Sequence, residues 1–496
     1  MTTPARTYVS RQEEEAALSR YVDAVRGSGR SRAVLVHGPG GSGKTSLVRH
    51  LATSVAQGDV VSVRPIDVDD PQFWLLSNLE TEVADQLGRE HFEPYFEHLR
   101  RIARITHEEV SYETVLAQLS RINRTFVDCY RTFVESRDVT VVITLDTIEA
   151  IRSMYLLLTL TQWMKELPRT LFVLAGRPAP GERDPLREEL GDRHRPLPFD
   201  ELRLSGFAED EAKQFLVESG LDESLSAVEQ DRLVDLTERR PLWLALAIQY
   251  LQVADMPAEM QATTPPTAAQ REEFRRRLVT LYRSTDFWSD AIKRLTVVRH
   301  SVTQDVWTAL MADRHLPPDA ATWDDAWRLL IARPWVRPRA NQRYVTLHDA
   351  LAEELAQRVI PLHDQDGAWR QGLWRRAREI YAALTAKQEE RVDAELARIG
   401  AALKAVEVDD AALVNDVSRV DARKRELDQL LTAQLHYAIL DDFAAGTERF
   451  LELCERATER RDPLFMELIC HEMELFLPRE QAGALPDGVV DLAVEQ

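Results

Sequence analysis

The chain has 496 residues, 44% of them hydrophobic, which is enough for three or four domains with cores of their own. Its 62 Lys and Arg against 82 Asp and Glu leave a formal charge of −20, which excludes broad attraction to nucleic acid or anionic membrane but not one local basic patch. The three cysteines, Cys129, Cys454 and Cys470, form no CxxC pair, which argues against a disulfide framework or a zinc site and fits a reducing compartment.

Residues 1–11 contain no apolar run of the signal-peptide kind, and the most apolar stretch, residues 241–251, is too short to span a membrane. A soluble, cytoplasmic protein is the expectation. The first half alternates strands and helices. Ala33-Val34-Leu35-Val36 is a short apolar run before a glycine-rich segment, and Leu47, Val48, Leu51 and Val55 then recur at helical spacing. Residues 60–63, 139–145, 171–174 and 202–204 read as further strands, with 139–145 apolar enough to be buried on both faces. This alternation predicts an α/β fold with a parallel sheet covered by helices on both sides. Residues 70–136 read as helix interrupted at Pro94, residues 178–198 as a proline-rich loop, and residues 209–251 as helix again. Pro257, Pro265 and Pro266 mark a linker. Residues 271–361 combine helical segments with a hairpin signal, Trp335-Val336 and Tyr344-Val345-Thr346 joined through Ala340-Asn341-Gln342, and a helix after His348. Three helices and a small hairpin have the outline of a winged helix. Beyond Trp369 the pattern is amphipathic helix; Trp374, Ala377 and Tyr381 have the spacing of a tetratricopeptide first helix, and an irregular helical bundle fits equally. The final residues, Asp491-Leu492-Ala493-Val494 among them, show no capping pattern, which leaves a longer natural chain open.

Gly38-Pro39-Gly40-Gly41-Ser42-Gly43-Lys44-Thr45 matches G-x-x-x-x-G-K-[ST] in full, between an apolar strand and an amphipathic helix. Gly38, Gly40, Gly41 and Gly43 let the loop turn its backbone N–H groups, with that of Ser42, onto a phosphate. The helix opening at Lys44, Thr45 and Ser46 adds its positive end. Lys44 is expected to reach the β- and γ-phosphates of ATP or ADP, and Thr45 to give a hydroxyl to Mg²⁺. A second metal group should end a buried strand, as Asp146 does after Val141-Val142-Ile143-Thr144-Leu145. Glu149 either polarises the attacking water or sits at a helix N-terminus. The acid that usually follows the first is Thr147 here, which bears on hydrolysis more than on binding. Arg177, after residues 171–174, either reads the γ-phosphate or is a surface residue at a strand end.

These elements, in this order, resemble the STAND class of P-loop NTPases, which includes the NB-ARC and NACHT proteins of immunity and cell death and many bacterial regulators. Val9-Ser10-Arg11-Gln12-Glu13-Glu14 looks like the V-G-R-x-x-E element near the adenine, with Ser10 for Gly; it implies nucleotide contacts for Val9 and Arg11. Leu145-Asp146-Thr147-Ile148-Glu149 looks like the L-D-T-F-E variant. Leu204-Ser205-Gly206-Phe207 followed by Glu211-Ala212 resembles the entry to a helical lid, and Pro241 in Arg240-Pro241-Leu242 the proline that packs over the base. Leu347-His348-Asp349 stands where family members carry M-H-D, whose histidine touches the ADP β-phosphate. Read from the residues alone, Leu347-His348-Asp349 is an N-capping Asp beside a histidine. The resemblance covers residues 9–359. It implies an ASCE-type P-loop domain over 1–205, a helical lid over 206–256, a winged helix over 271–361 and an all-α region over 369–496. It further implies an ATPase switch: closed with ADP, open and homo-oligomeric with ATP and magnesium, slow to hydrolyse. With too few residues before the P-loop strand for an effector domain, an effector is expected to be a separate partner or to lie beyond Gln496, and the trigger to be a separate protein.

His471-Glu472-Met473-Glu474 begins like H-E-x-x-H but lacks the second His, so zinc hydrolysis is not expected. Arg333, Arg337, Arg339 and Arg343 make the hairpin region basic. A transcription regulator reading DNA through the winged helix is the alternative; its candidate recognition segment, 320–330, carries Asp324 and Asp325 against Arg328 alone, which counts against DNA. A scaffold that binds nucleotide without hydrolysing it is the other alternative.

Overall fold

The computed structural model describes residues 8–476 apart from 71–72, 74–75, 106–111, 152–153, 178–185, 187–189, 191–196, 222–223, 253–255, 262–263, 301, 340–342, 403–409 and 461. Most of the proline-rich loop, the Ala340-Asn341-Gln342 connection and the last twenty residues of the sequence therefore lie outside the described residues.

Helix α1 (Gln12–Ser28) leads to β1 (Arg32–His37), the glycine-rich loop and α2 (Lys44–Ser54). Next come β2 (Val60–Ser62) and the two-residue β3 (Ile66–Asp67). Helices α3 (Leu76–Leu87), α4 (Glu93–Ile105) and α5 (Tyr112–Arg137) separate them from β4 (Thr140–Asp146). Helix α6 (Met154–Glu166) precedes β5 (Thr170–Gly176), and β6 (Phe199–Arg203) completes the sheet. The strand order is β2-β4-β5-β1-β6, with β3 beside the C-terminal end of β4, and every pairing is parallel. Strand β5 thus lies between the strand that enters the glycine-rich loop and the strand that ends in Asp146, as expected of an ASCE-type sheet.

Every residue of β4 and β5 is buried, because apolar layers cover both faces of the sheet. One layer brings Leu18, Leu47 and Leu51 of α1 and α2; the other brings Phe126, Tyr130 and Trp163 of α5 and α6. Pro94 opens a helix rather than interrupting one, since the first turn has no use for its missing N–H. Strand β3 is too short to show a period, and β6 begins three residues before the expected 202–204 because its start, Phe199-Asp200-Glu201, is half-exposed and mixed in polarity.

Three helices follow, α7 (Glu209–Glu218), α8 (Ala227–Leu236) and α9 (Pro241–Leu251), then α10 (Ala268–Thr280). The next unit is α11 (Phe287–Val297), β7 (Val302–Thr303), α12 (Gln304–Leu310), α13 (Trp323–Ala332), β8 (Val336–Arg339) and β9 (Tyr344–Leu347). Its three strands are antiparallel in the order β7-β9-β8. Trp307 packs edge-on to Phe287 and Trp323 and tilted on Trp327, tying its three helices together. Then come α14 (Asp349–Arg358), α15 (Ile360–His363), α16 (Ala368–Ala402), α17 (Asp410–Asp441), α18 (Phe443–Glu459) and α19 (Pro463–Glu474). Helix α16 has 35 residues, as long as a whole tetratricopeptide repeat of about 34. One apolar core runs from Val9 through α7–α14 to Tyr381 and Tyr437, so the C-terminal helices are anchored on the unit before them. No described helix is long and apolar enough to cross a membrane.

Candidate nucleotide site

The glycine-rich loop connects β1 to α2 at the C-terminal edge of the sheet, where parallel α/β folds bind ligands. Gly41 (φ 76°) and Gly43 (φ 93°) are in the left-handed region. A Cβ at Gly41 would lie 2.6 Å from the Cβ of Leu242, so only glycine lets α9 approach the loop. Ser42 is buried, and its hydroxyl has no hydrogen-bond partner among the described residues. A loop of this shape carrying an unsatisfied buried hydroxyl fits a phosphate.

Lys44 opens α2 and its ammonium donates to the carbonyls of Gly38 (2.8 Å) and Pro39 (3.2 Å). Burial pulls its pKa down to about 8; Glu149 and Asp146 oppose this, and Arg337 and Arg177 add to it. Ser46 lines the cleft above the loop beside Thr45. Asp146 ends β4, buried, and accepts from the Thr147 backbone N–H at 3.0 Å. Thr147 itself adopts φ 64°, a rare conformation for a β-branched residue and one that clusters at functional sites.

Two arginines from β8 enter this site. The Nη2 of Arg337 is 3.3 Å from the Thr45 hydroxyl, 3.0 Å from that of Thr147 and 3.9 Å from the Asp146 carboxylate. Arg339 donates to the Thr147 hydroxyl at 2.5 Å and lies 3.5 Å from Asp67 and 3.6 Å from Asp69. Burial and Arg339 push the Arg337 guanidinium below its ordinary range, while Asp146, Asp67 and Glu149 support its charge. Tyr344 of β9 donates to Asp69, fixing the hairpin to the loop after β3. The hydroxyl of Thr45 and the carboxylate of Asp146 make a donor set for a hard cation, and a guanidinium bridges them here.

Arg177 follows β5. Its backbone N–H donates to Glu149 at 3.2 Å, its side chain lies 3.7 Å from the Glu149 carboxylate, and its guanidinium pairs with Asp349. Glu149 stands in a 3-10 turn, Ile148–Ala150, with its carboxylate engaged by Arg177. The N-cap of α14 is His348, not Asp349; Asp349 is the first residue of the helix and its carboxylate turns to Arg177.

Arg11 is buried, its guanidinium donating to the Ser42 carbonyl at 2.6 Å and the Ser205 carbonyl at 3.3 Å and lying over the Phe207 ring. It braces the glycine-rich loop from behind, while Val9 joins the core of the α7–α9 helices. Pro241 lies against Gly43, whose Cβ would sit 3.7 Å from the proline Cγ. A cleft of about 190 Å³ remains, walled by Gly41 and Thr45, by Pro241 and Leu242, and by Arg337 and His348. Of the four arginines that make residues 333–343 basic, Arg333 lies over Trp288 and Arg337 and Arg339 point inward; Arg343 is exposed. The sequence marks them as a basic run, but the carboxylate and hydroxyl partners of Arg337 and Arg339 lie in distant segments.

Residues 7–174 match the family model of the AAA ATPase domain. That segment is therefore similar to an AAA ATPase domain, and its parallel sheet and glycine-rich loop are those of an α/β P-loop fold. None of the curated proteins matches the chain. Among solved structures, a STAND protein with a tetratricopeptide repeat sensor from Pyrococcus horikoshii is 13% identical, with a TM-score of 0.39 over 99% of this chain and 71% of that one. The ORC2 protein of Aeropyrum pernix, in ADPNP–ADP complexes, is 12% identical with a TM-score of 0.35 over 73% of this chain and 97% of its own. Cdc6p from Pyrobaculum aerophilum is 13% identical with a TM-score of 0.33 over 72% and 97%.

Proposed function

We propose that the chain is a signal-transducing ATPase switch, closed with ADP and open and homo-oligomeric with ATP and magnesium. The observation that carries this reading is the Arg337 guanidinium between Thr45 and Asp146. Thr45 and Asp146 would hold magnesium, which when bound neutralises charge on the β- and γ-phosphates. Arg337 supplies positive charge to the same two side chains from β8, within a unit we read as a winged helix. Guanidinium and metal compete for one set of oxygens, so loading the site with metal is linked to withdrawal of β8 and β9. Arg177 and Asp349 make a second link that such withdrawal breaks, and His348 faces the cleft where an ADP phosphate would lie. Slow hydrolysis follows from Thr147 in place of a second acid and from Glu149 being tied to Arg177. Helices α16–α19 are the proposed sensor of a separate protein trigger. With Arg337 and Arg339 turned inward, DNA is not a proposed ligand.

The test compares wild type with Arg337→Ala in nucleotide extracted after purification and in mass by light scattering. Wild type should carry ADP as a monomer, and the variant should lose ADP and assemble with ATP and magnesium. Equal nucleotide content and equal mass would return the chain to a nucleotide-binding scaffold.

A further inference from the structure

Outside the nucleotide site, three side chains from separate elements converge where the C-terminal helices meet the α11–β9 unit. His300 lies between α11 and β7, His436 on α17 and Glu472 on α19. Their ligand atoms all fall within 4.8 Å of one another. His436 Nδ1 is 2.6 Å and His300 Nε2 is 3.6 Å from the same oxygen, Oε1 of Glu472. Glu472 is buried, and both histidines are partly buried. The two imidazoles lie with ring centroids 4.2 Å apart.

The backbone around His300 is fixed by buried tyrosines. The Tyr437 hydroxyl accepts from the N–H groups of Arg299 (3.0 Å) and His300 (3.3 Å), and the Tyr381 hydroxyl donates to the His300 carbonyl. These rings stack on each other with centroids 5.6 Å apart and planes 9° from parallel. Such outer support holds a ligating side chain ready.

We propose that His300, His436 and Glu472 form a binding site for a divalent transition metal, with zinc the best chemical match. Two imidazoles and one carboxylate are a donor set zinc accepts, with the fourth position left to water. Tetrahedral zinc, with ligands at about 2.0–2.1 Å, places its donor atoms about 3.3 Å apart. The Glu472–His300 spacing is already near that value, and the Glu472–His436 pair opens by about 0.7 Å, within reach of side-chain torsions. Incomplete H-E-x-x-H spacing at Glu472 hid the site, because both histidines come from elsewhere in the chain. Metal held here joins α17 and α19 to the unit that carries Arg337.

The test uses the tag-free full chain, stripped with chelator and titrated with zinc by calorimetry in nucleotide-free buffer. One zinc per chain is expected, with a rise in melting temperature on addition. His300→Ala, His436→Ala and Glu472→Gln should each weaken uptake by at least about tenfold, and Cys454→Ser should leave it unchanged. Cobalt in place of zinc should give the visible absorption of a four-coordinate site, lost in Glu472→Gln. No stoichiometric uptake by the wild type overturns the proposal, and this outcome does not depend on any variant folding. Uptake retained in Glu472→Gln but lost in Cys454→Ser assigns the metal to the thiols and equally overturns it.

Discussion

The guanidinium of Arg337 lies 3.3 Å from the hydroxyl of Thr45, a residue 292 positions earlier in the chain. That contact, together with the Asp146 carboxylate at 3.9 Å, puts a fixed positive charge from the second half of the protein inside the P-loop site of the first. The Arg337 side chain is only 16% exposed, and a guanidinium so far withdrawn from water is costly to desolvate unless it is paired and hydrogen-bonded, a cost offset here by Thr45, Thr147 and Asp146. Substituting any of these partners should therefore affect the position of β8 as well as nucleotide binding.

Lys44→Ala should remove most nucleotide affinity. Loss of a charge-assisted contact to the β- and γ-phosphates costs about 1.5–3 kcal/mol, roughly tenfold to over a hundredfold in dissociation constant. Calorimetry with ATP measures this directly, and an unchanged constant would mean the glycine-rich loop is not the phosphate site.

Nucleotide affinity should also fall as pH rises above about 8, the value to which burial brings Lys44. The sign follows from linkage: phosphate raises the Lys44 pKa, so binding takes up a proton between the free and bound values, and affinity declines there by up to about tenfold per pH unit. The same shift makes the Lys44 contribution to folding stability unfavourable below pH 8 and relieved as pH rises from about 8 towards 10.5, where the unfolded chain holds the extra proton. Proton uptake on binding is read from calorimetry in buffers of different ionisation enthalpy. Uptake that is absent near pH 8 would mean that Lys44 does not meet the phosphate.

Asp349→Asn should have a small effect. The Asp349 side chain is 50% exposed and its partner Arg177 35%, so the pair is worth about 0–1 kcal/mol. ADP dissociation measured by fluorescence should speed up less than about fivefold, whereas Arg337→Ala, which removes a less exposed set of contacts, should speed it up more. The reverse ranking would move the main clasp from Arg337 to Arg177 and Asp349.

Much of the nucleotide half is legible in the sequence because its signals are local. The glycine-rich loop is contiguous, and β4 and β5 are continuous apolar runs because both faces are covered. Asp146 could be read from the end of its strand for the same reason. What could not be read is the pairing across the chain. Arg337 and Arg339 were visible as charge without a destination, since Thr147 is 190 and 192 positions away from them. Asp349 reads as a helix cap because its contact with Arg177 is not local; the cap is His348 and the helix begins at Asp349. The neighbour of Glu149 is equally non-local: Arg177, 3.7 Å from its carboxylate, comes from the end of another strand.

The most direct test of the closed, guanidinium-bridged site is the magnesium dependence of ATP affinity in wild type and Arg337→Ala. If Arg337 competes with the metal, its removal should tighten ATP binding in magnesium by about tenfold to a hundredfold, the worth of one or two charge-assisted contacts. The same substitution should leave ATP affinity in chelator unchanged or weaker. An equal magnesium effect in both proteins would contradict the account, because Arg337 would then be a bystander to the metal site.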